Sequence, residues 1–281
     1  MINILITGCN GFIGQSAVQY FKTLGYNIYE TNRQTLNVEN ATQVKQFFAS
    51  NRVDYVIHGA IKGGRRHQED NYHDFVTNIT MFKNLLEHSG QYKLMFSFGS
   101  GAEFDRRMDI SSINELELFN RQPEDYYGLA KNIIAREIAK HNDNVINLRL
   151  FGCFGYLEDN TRFIKNSLIS ALKGEQVTIH QNKKMDFFYI EDLWQVIKFY
   201  IENYKKTLPK DINMCYSEKA SLLEIAFQIN MLTNSNRQVI IKEKDNCKPY
   251  TGSSQRLANL GIELCGLNAG IQKVFKTLKE V

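Results

Sequence analysis

Seven residues near the start constrain the fold more than any other feature. Gly8-Cys9-Asn10-Gly11-Phe12-Ile13-Gly14 follows the short apolar run Ile2–Thr7 and opens the helical stretch Phe12–Leu24. Glycines at the first, fourth and seventh places permit a tight strand-to-helix turn, close approach of a phosphate to the backbone, and close helix–sheet packing. The helix N-terminus behind them offers unpaired N–H groups and partial positive charge to an anion. Taken alone, such a heptapeptide is only a tight turn. At the head of a strand–helix–strand pattern it predicts a dinucleotide pyrophosphate held by Gly8, Asn10, Gly11, Phe12, Ile13 and Gly14.

That pattern continues. Runs of strand length at Asn27–Thr31, Tyr55–His58, Leu94–Ser97 and Val145–Leu150 alternate with helical stretches at Glu39–Ser50, Asn71–Glu87 and Tyr127–His141. The rhythm predicts an α/β fold, a doubly wound parallel sheet with helices on both faces, whose ligands sit beyond the carboxyl ends of the strands. After Leu150 it loosens. Helices are expected at Arg162–Leu172, from Glu191, at Ser221–Leu232 and at Leu267–Leu278, with strands at Phe187–Ile190 and Ile212–Cys215. We therefore expect a dinucleotide-binding domain over 1–153, a smaller C-terminal α/β substrate-binding lobe over 154–281, and a segment, 186–205, returning to the first domain.

The end of the second strand bears on the cofactor. An acid about 20 residues past the turn would accept hydrogen bonds from a ribose 2′-hydroxyl. Here Glu30 comes early, and the strand-end position is Asn32, followed by Arg33. A neutral residue and a guanidinium suit the 2′-phosphate of NADP, with NAD as the second choice. The alternative is that Arg33 is a solvated surface charge.

Tyr127-Gly128-Leu129-Ala130-Lys131 sets a phenol and an ammonium on one helix face at i and i+4. The cation favours the phenolate and tunes the phenol for proton transfer. Such a pair arises by chance about once in a chain with this much Tyr and Lys, so its context carries the argument. Upstream, the strand at Leu94–Ser97 runs into Phe98-Gly99-Ser100-Gly101-Ala102. The Ser100 hydroxyl could steady a developing oxyanion there, against the simpler reading of turn chemistry between two glycines. Gly turn, serine and Tyr–Lys pair in this order favour catalysis by Ser100, Tyr127 and Lys131.

Bulk properties exclude other classes. A formal charge of +4 over 281 residues, with no dense basic stripe, argues against a nucleic-acid partner. No run reaches the roughly 18 apolar residues of a membrane helix. The 5 cysteines are scattered without a Cys-x-x-Cys pair, which points away from disulfides and zinc and toward the cytoplasm. His67 and His73 read as solvated residues, and no metal is expected.

Together these features resemble the extended short-chain dehydrogenase/reductase group, the NAD-dependent epimerase/dehydratase family, over most of the chain. Further matches are Asp54–Ala60, similar to a strand ending in His-x-Ala; Asn78, a helix asparagine near the active site; Asp186–Asp192; and Arg256-Leu257-x-x-Leu260-Gly261. The resemblance implies a Rossmann-type fold and extends the cofactor set to Gly59, Ala60, Asn78, Tyr127 and Lys131. It implies a nucleotide-sugar substrate touched by Gly101, Ala102, Lys184 and Arg256, and a homodimer.

Ala60-Ile61-Lys62-Gly63-Gly64 and Thr31–Asn37 are similar to the GDP-fucose synthase branch, which epimerises and reduces 4-keto-6-deoxy sugars. That branch's epimerising cysteine and histidine would fall on Ala102 and near Leu157, neither of which can move a proton. The expectation is therefore NADP-dependent reduction without 3,5-epimerisation, in the making of cell-surface polysaccharide sugars. A 4-epimerase with tightly bound NAD and a non-catalytic NAD(P) sensor remain as alternatives. The family's arginine before Asp186 is Met185 here, leaving Lys183, Lys184 or Arg256 as candidates for the diphosphate cation, against the simpler reading of exposed surface charge.

Overall fold

The computed structural model describes residues 1–64, 69–141, 144–243 and 247–280; His67 lies outside them. In chain order the elements are β1 (Asn3–Thr7), α1 (Phe12–Thr23), β2 (Asn27–Thr31), α2 (Ala41–Ser50), β3 (Tyr55–His58), α3 (Tyr72–Leu86), β4 (Leu94–Ser100), β5 (Ile110–Ile113), α4 (Tyr126–His141), β6 (Val145–Leu150), β7 (Cys153–Phe154) and α5 (Phe163–Leu172). There follow β8 (Thr178–Gln181), β9 (Phe188–Tyr189), α6 (Ile190–Glu202), β10 (Asp211–Met214), α7 (Leu222–Thr233), β11 (Ile240–Glu243), β12 (Tyr250–Gly252), α8 (Gln255–Ala258) and α9 (Gly266–Glu280).

Two compact units emerge, each discontinuous in sequence. The first comprises residues 1–106, 115–149 and 196–212; the second comprises 107–114, 150–195 and 213–281. Against the boundaries read from the sequence, the units change over after Arg149 rather than after 153. The stretch grouped with the first unit is 196–212 rather than 186–205.

A six-stranded sheet in the order β10-β6-β4-β3-β1-β2 forms the heart of the first unit, with parallel pairing of β2, β1, β3 and β4. This is the Rossmann-like α/β architecture. Its central strands are buried on both sides because helices cover both faces: Ile4, Leu5 and Ile6 of β1 are wholly buried, as are Val56 and Ile57 of β3. Leu5, Val56 and Met95 meet Phe48 of α2, Phe82 of α3 and Ile138 of α4 in one cluster. Each fully buried aliphatic side chain contributes about 1.5–3 kcal/mol.

Sequence signals end these helices cleanly. Asn40 caps α2 through the Gln43 N–H at 3.1 Å, and Asn71 with Asp74 forms a reciprocal capping box on α3. The register then levels the strand ends: Thr7 lies opposite Thr31 and His58, and His58 opposite Ser97. The chain direction across the sheet reverses between β1 and β3, the position where such sheets open a ligand crevice.

Three parallel two-stranded ribbons, β5–β12, β7–β9 and β8–β11, belong to the second unit together with α5, α7 and α9. Among the described residues no helix is long and apolar enough to cross a membrane.

Candidate active site

The glycine turn after β1 uses its three glycines differently. Gly8 has φ +71°, and a Cβ there would meet the Ala60 nitrogen at 2.7 Å; a Cβ on Gly14 would meet the Gly8 carbonyl oxygen at 2.3 Å. Both are dictated by packing within the protein. Gly11 is not, because the nearest atom to its Cβ position is the Gly8 oxygen at 3.5 Å. That bare face borders the N-terminus of α1, which has no side-chain cap and no acidic residue in its first turn. A surface stripped of Cβ atoms beside uncapped N–H groups fits a pyrophosphate. Asn10 is exposed, and Phe12 and Ile13 are half-buried at the same turn.

At the end of β2, Asn32 folds an Asx turn, its Oδ1 accepting from the Gln34 and Thr35 N–H groups at 2.8 and 3.2 Å. Arg33 is thereby held exposed at the tip of the turn. Glu30, the penultimate residue of β2, is exposed and paired with Lys22.

The loop after β3 is tied down from three sides. Ala60 N–H donates to Thr7 Oγ1 at 3.2 Å, and that hydroxyl also meets His58 Nδ1 at 2.9 Å. Gly59 N–H donates to the Thr7 carbonyl. Burial, with the Lys131 ammonium nearby, pushes the His58 imidazole down to about 3, so it is neutral. The Asn78 amide grips both ends of the Lys62 residue, accepting from its N–H at 3.0 Å and donating to its carbonyl at 2.8 Å. Asn78 thus braces this loop. Gly64, at φ +69°, lies against the Tyr127 ring, where a Cβ would approach Cε2 to 2.8 Å.

Strand β4 runs through Ser100, three residues further than its apolar core suggests, and Ser100 caps a single tight turn over Gly101–Glu103. Its Oγ accepts from the Ala102 N–H at 3.1 Å. Gly101 and Ala102 are both buried in that turn. Helix α4 comes so close that a Cβ on Gly128 would sit 2.6 Å from the Ala102 carbonyl oxygen. This explains glycine after the tyrosine, and it brings Tyr127 to Ser100, whose side chains hydrogen-bond.

One turn on, Lys131 Nζ donates to the Phe98 carbonyl at 2.6 Å. Burial pulls the Lys131 ammonium down to about 8, with the Glu103 carboxylate opposing. Burial raises the Tyr127 phenol and Glu103 adds to the rise, while the Ser100 hydrogen bond and Arg106 work against it. Ser100 and Tyr127 are therefore joined by a hydrogen bond, while Lys131, one turn on along the same helix, is held by the Phe98 carbonyl.

Sequence reasoning passed over what lies behind the serine. Glu103, Asn147, Arg149 and Asp211 are buried together, with Arg149 Nη2 at 2.6 Å from Glu103 and 2.9 Å from Asp211. The signal was present in β6, where Val-Ile-Asn-Leu-Arg-Leu places two polar residues on one face of a buried strand.

In the second unit, Lys184 is exposed, its backbone bridges Ser221 and its carbonyl accepts the Tyr250 N–H at 2.9 Å, while Arg256 is half-buried on α8. The cation on Asp186 is Lys219, with both carboxylate oxygens within 2.9 Å, rather than its sequence neighbours Lys183 or Lys184.

The family model described as NAD dependent epimerase/dehydratase family matches residues 4–215. The chain belongs to that family. The GDP-mannoheptose C4 reductase of Campylobacter jejuni, solved with NADP bound, superposes with a TM-score of 0.83 at 20% identity, covering 99% of this chain and 98% of that one. The GDP-L-fucose synthetase of Naegleria fowleri, bound to NADP, gives 0.79 at 18%, over 99% and 93%. The UDP-glucose 4-epimerase of Thermus thermophilus, complexed with NAD, gives 0.78 at 17%, over 99% of both chains. At such identities these epimerase/dehydratase folds speak for architecture alone. No curated protein sequence matches the chain significantly.

Proposed function

We propose that this oxidoreductase uses NADP to reduce the keto group of a nucleotide-linked 4-keto-6-deoxy sugar. The observation that carries the reading is the Ser100–Tyr127 hydrogen bond with Lys131 one turn along the same helix, in a unit whose glycine turn fits a pyrophosphate. The dinucleotide, when bound, supplies the hydride. Tyr127 gives its proton to the carbonyl oxygen. Ser100 holds that oxygen through its hydroxyl, and the Lys131 ammonium stabilises the phenolate left behind. Gly59 and Ala60 bring the backbone close to the cofactor, while Lys184 and Arg256 are assigned to the sugar nucleotide with Gly101 and Ala102. Among the comparisons, the GDP-mannoheptose C4 reductase and the GDP-L-fucose synthetase, each solved with NADP, support a nucleotide-sugar substrate and this cofactor. The aromatic group of exposed Tyr72 and Tyr126 around half-buried Phe75 on α3 and α4 supports a homodimer. A cytoplasmic place in polysaccharide sugar synthesis completes the proposal.

The deciding assay offers NADPH with a panel of 4-keto-6-deoxy sugar nucleotides and follows cofactor oxidation. Stoichiometric oxidation on one of them supports the reductase. NAD released on denaturation, with no net oxidation, would make the protein a 4-epimerase instead. In deuterated solvent the product should carry no deuterium at C3 or C5. Label there would overturn the absence of epimerisation.

Arg33→Ala should weaken NADPH roughly ten- to hundredfold, the loss of a charged hydrogen bond, while leaving NADH unchanged. Equal effects on both cofactors in a fluorescence titration would remove Arg33 from 2′-phosphate recognition.

The pH dependence follows from Lys131. The ammonium is the active form, so turnover is present below about 8 and falls as pH rises through that value. Lys131→Arg keeps its charge throughout and should lose this alkaline limb, although the bulkier guanidinium slows the reaction. A limb unmoved in the arginine variant would assign it to another group.

A further inference from the structure

The turn that carries Ser100 is anchored through one side chain. Glu103 is wholly buried, and its Oε1 accepts the Ser100 N–H at 2.8 Å. Its other oxygen, Oε2, receives Arg149 Nε and Nη2, each at 2.6 Å. Arg149, also wholly buried, passes to Asp211 Oδ1 at 2.9 Å, and Asn147 Nδ2 spans the same pair at 2.9 Å from Asp211 and 3.2 Å from Glu103. The Glu103 backbone carbonyl accepts from Asn132 Nδ2 at 2.8 Å. Asn132 is the residue after Lys131 on α4. One residue therefore ties the serine turn, the strand β6 and the tyrosine–lysine helix to each other.

Stability alone does not call for this arrangement. A buried ionic triad gains little over apolar side chains of equal volume. Nor is the space generous: a Cβ on Gly99 would lie 2.2 Å from Glu103 Oε1 and 2.4 Å from Asn147 Oδ1, so the strand gives up a side chain to admit the carboxylate.

We propose that Glu103 is a positioning residue of the active site, holding Ser100 in register with Tyr127 and Lys131 through the buried Arg149–Asp211 pair. The assignment rests on the reductase reading of those three residues. Its charge has a second effect. Glu103 lies close enough to disfavour the Tyr127 phenolate and to favour the Lys131 ammonium. The other groups facing Tyr127 are Ser100, Arg106 and Asp70; Lys131 faces His58; Glu103 itself faces Arg149 and Asp211. Removing the charge should ease Tyr127 ionisation.

The experiment pairs kinetics with nuclear magnetic resonance of cofactor-free protein carrying 13Cζ-tyrosine, the Tyr127 signal being the one lost in Tyr127→Phe. Glu103→Gln should lower kcat about 10- to 100-fold, the cost of a misplaced hydroxyl, with KM and the NADPH Kd within about twofold. Its Tyr127 midpoint should move down by about one pH unit. Glu103→Asp keeps the charge for Arg149 and so the fold, but its shorter arm cannot also reach Ser100. It should lose kcat about tenfold with the midpoint unmoved. Wild-type kcat in Glu103→Asp, or an unmoved midpoint in folded Glu103→Gln, would overturn the proposal. Should wild-type protein reduce no keto sugar nucleotide, the reductase reading fails separately, and the resonance arm still decides whether Glu103 acts on Tyr127.

Discussion

Tyr127→Phe is expected to lower kcat by about 10²- to 10⁴-fold while sparing cofactor affinity, because the variant removes the proton donor and little else. The ring keeps its place on α4, where it packs against Gly64, so the loop after β3 retains its contact. Only the phenolic oxygen and its hydrogen bond with Ser100 disappear, a change worth about 1 kcal/mol in stability. Steady-state turnover beside an NADPH fluorescence titration separates the two effects. Activity within threefold of wild type would mean that another acid protonates the product. Loss of NADPH binding equal to the loss of turnover would recast Tyr127 as a cofactor ligand rather than a donor.

Arg149→Leu should be the most destabilising single change in the protein's first unit. It leaves Glu103 and Asp211 buried without their shared cation, which costs about 3–5 kcal/mol. In a chain of this size that corresponds to a fall in Tm of roughly 10 °C. The pH dependence fixes the mechanism. A carboxyl stranded in the interior has a folded pKa above its unfolded one, so the folded state binds its proton more tightly and stability falls as pH rises. The deficit should therefore be smaller near pH 5 than near pH 8. Replacing the whole network, with Glu103→Gln and Asp211→Asn added, should recover most of the loss, since no charge remains to be compensated. A calorimetric scan showing the single variant as stable as wild type would contradict the buried pairing.

What the sequence revealed about the site was what local spacing encodes. The glycine heptapeptide and the Tyr127–Lys131 pair are short-range patterns, set by one turn and one helix face, and the structure gathers their residues into one region of the first unit. The alternation of strands and helices up to Leu150 was legible because β1, β3, β4 and β6 are buried on both faces and read as largely apolar runs. Of the second unit's ribbons only β9 was, within the strand expected at Phe187–Ile190. Strands such as Ile110–Ile113 and Tyr250–Gly252 are short, and they exist only because a distant partner completes the hydrogen bonding. The same reason hid the serine's support. Glu103 and Arg149 stand 46 residues apart, and Lys219 stands 33 from Asp186, separations at which spacing carries no pairing information. Even so, two polar residues in a buried strand were a visible anomaly in β6, since such groups require partners.

The interleaving of the two units also bears on how the chain is made. The strand at one edge of the six-stranded sheet, Asp211–Met214, comes after two of the second unit's three segments, 107–114 and 150–195, in the sequence. A nascent chain emerging from the ribosome therefore presents five strands of that sheet while the sixth is still untranslated. During that interval Arg149 has Glu103 but lacks Asp211, and the flank of β6 lies open as an unpaired edge. The nucleotide-binding half cannot mature ahead of the rest, as an amino-terminal domain ordinarily does. Its completion waits for synthesis to pass residue 214, which makes translation pauses before that point periods of exposure and rules out supplying the two halves as separate contiguous fragments.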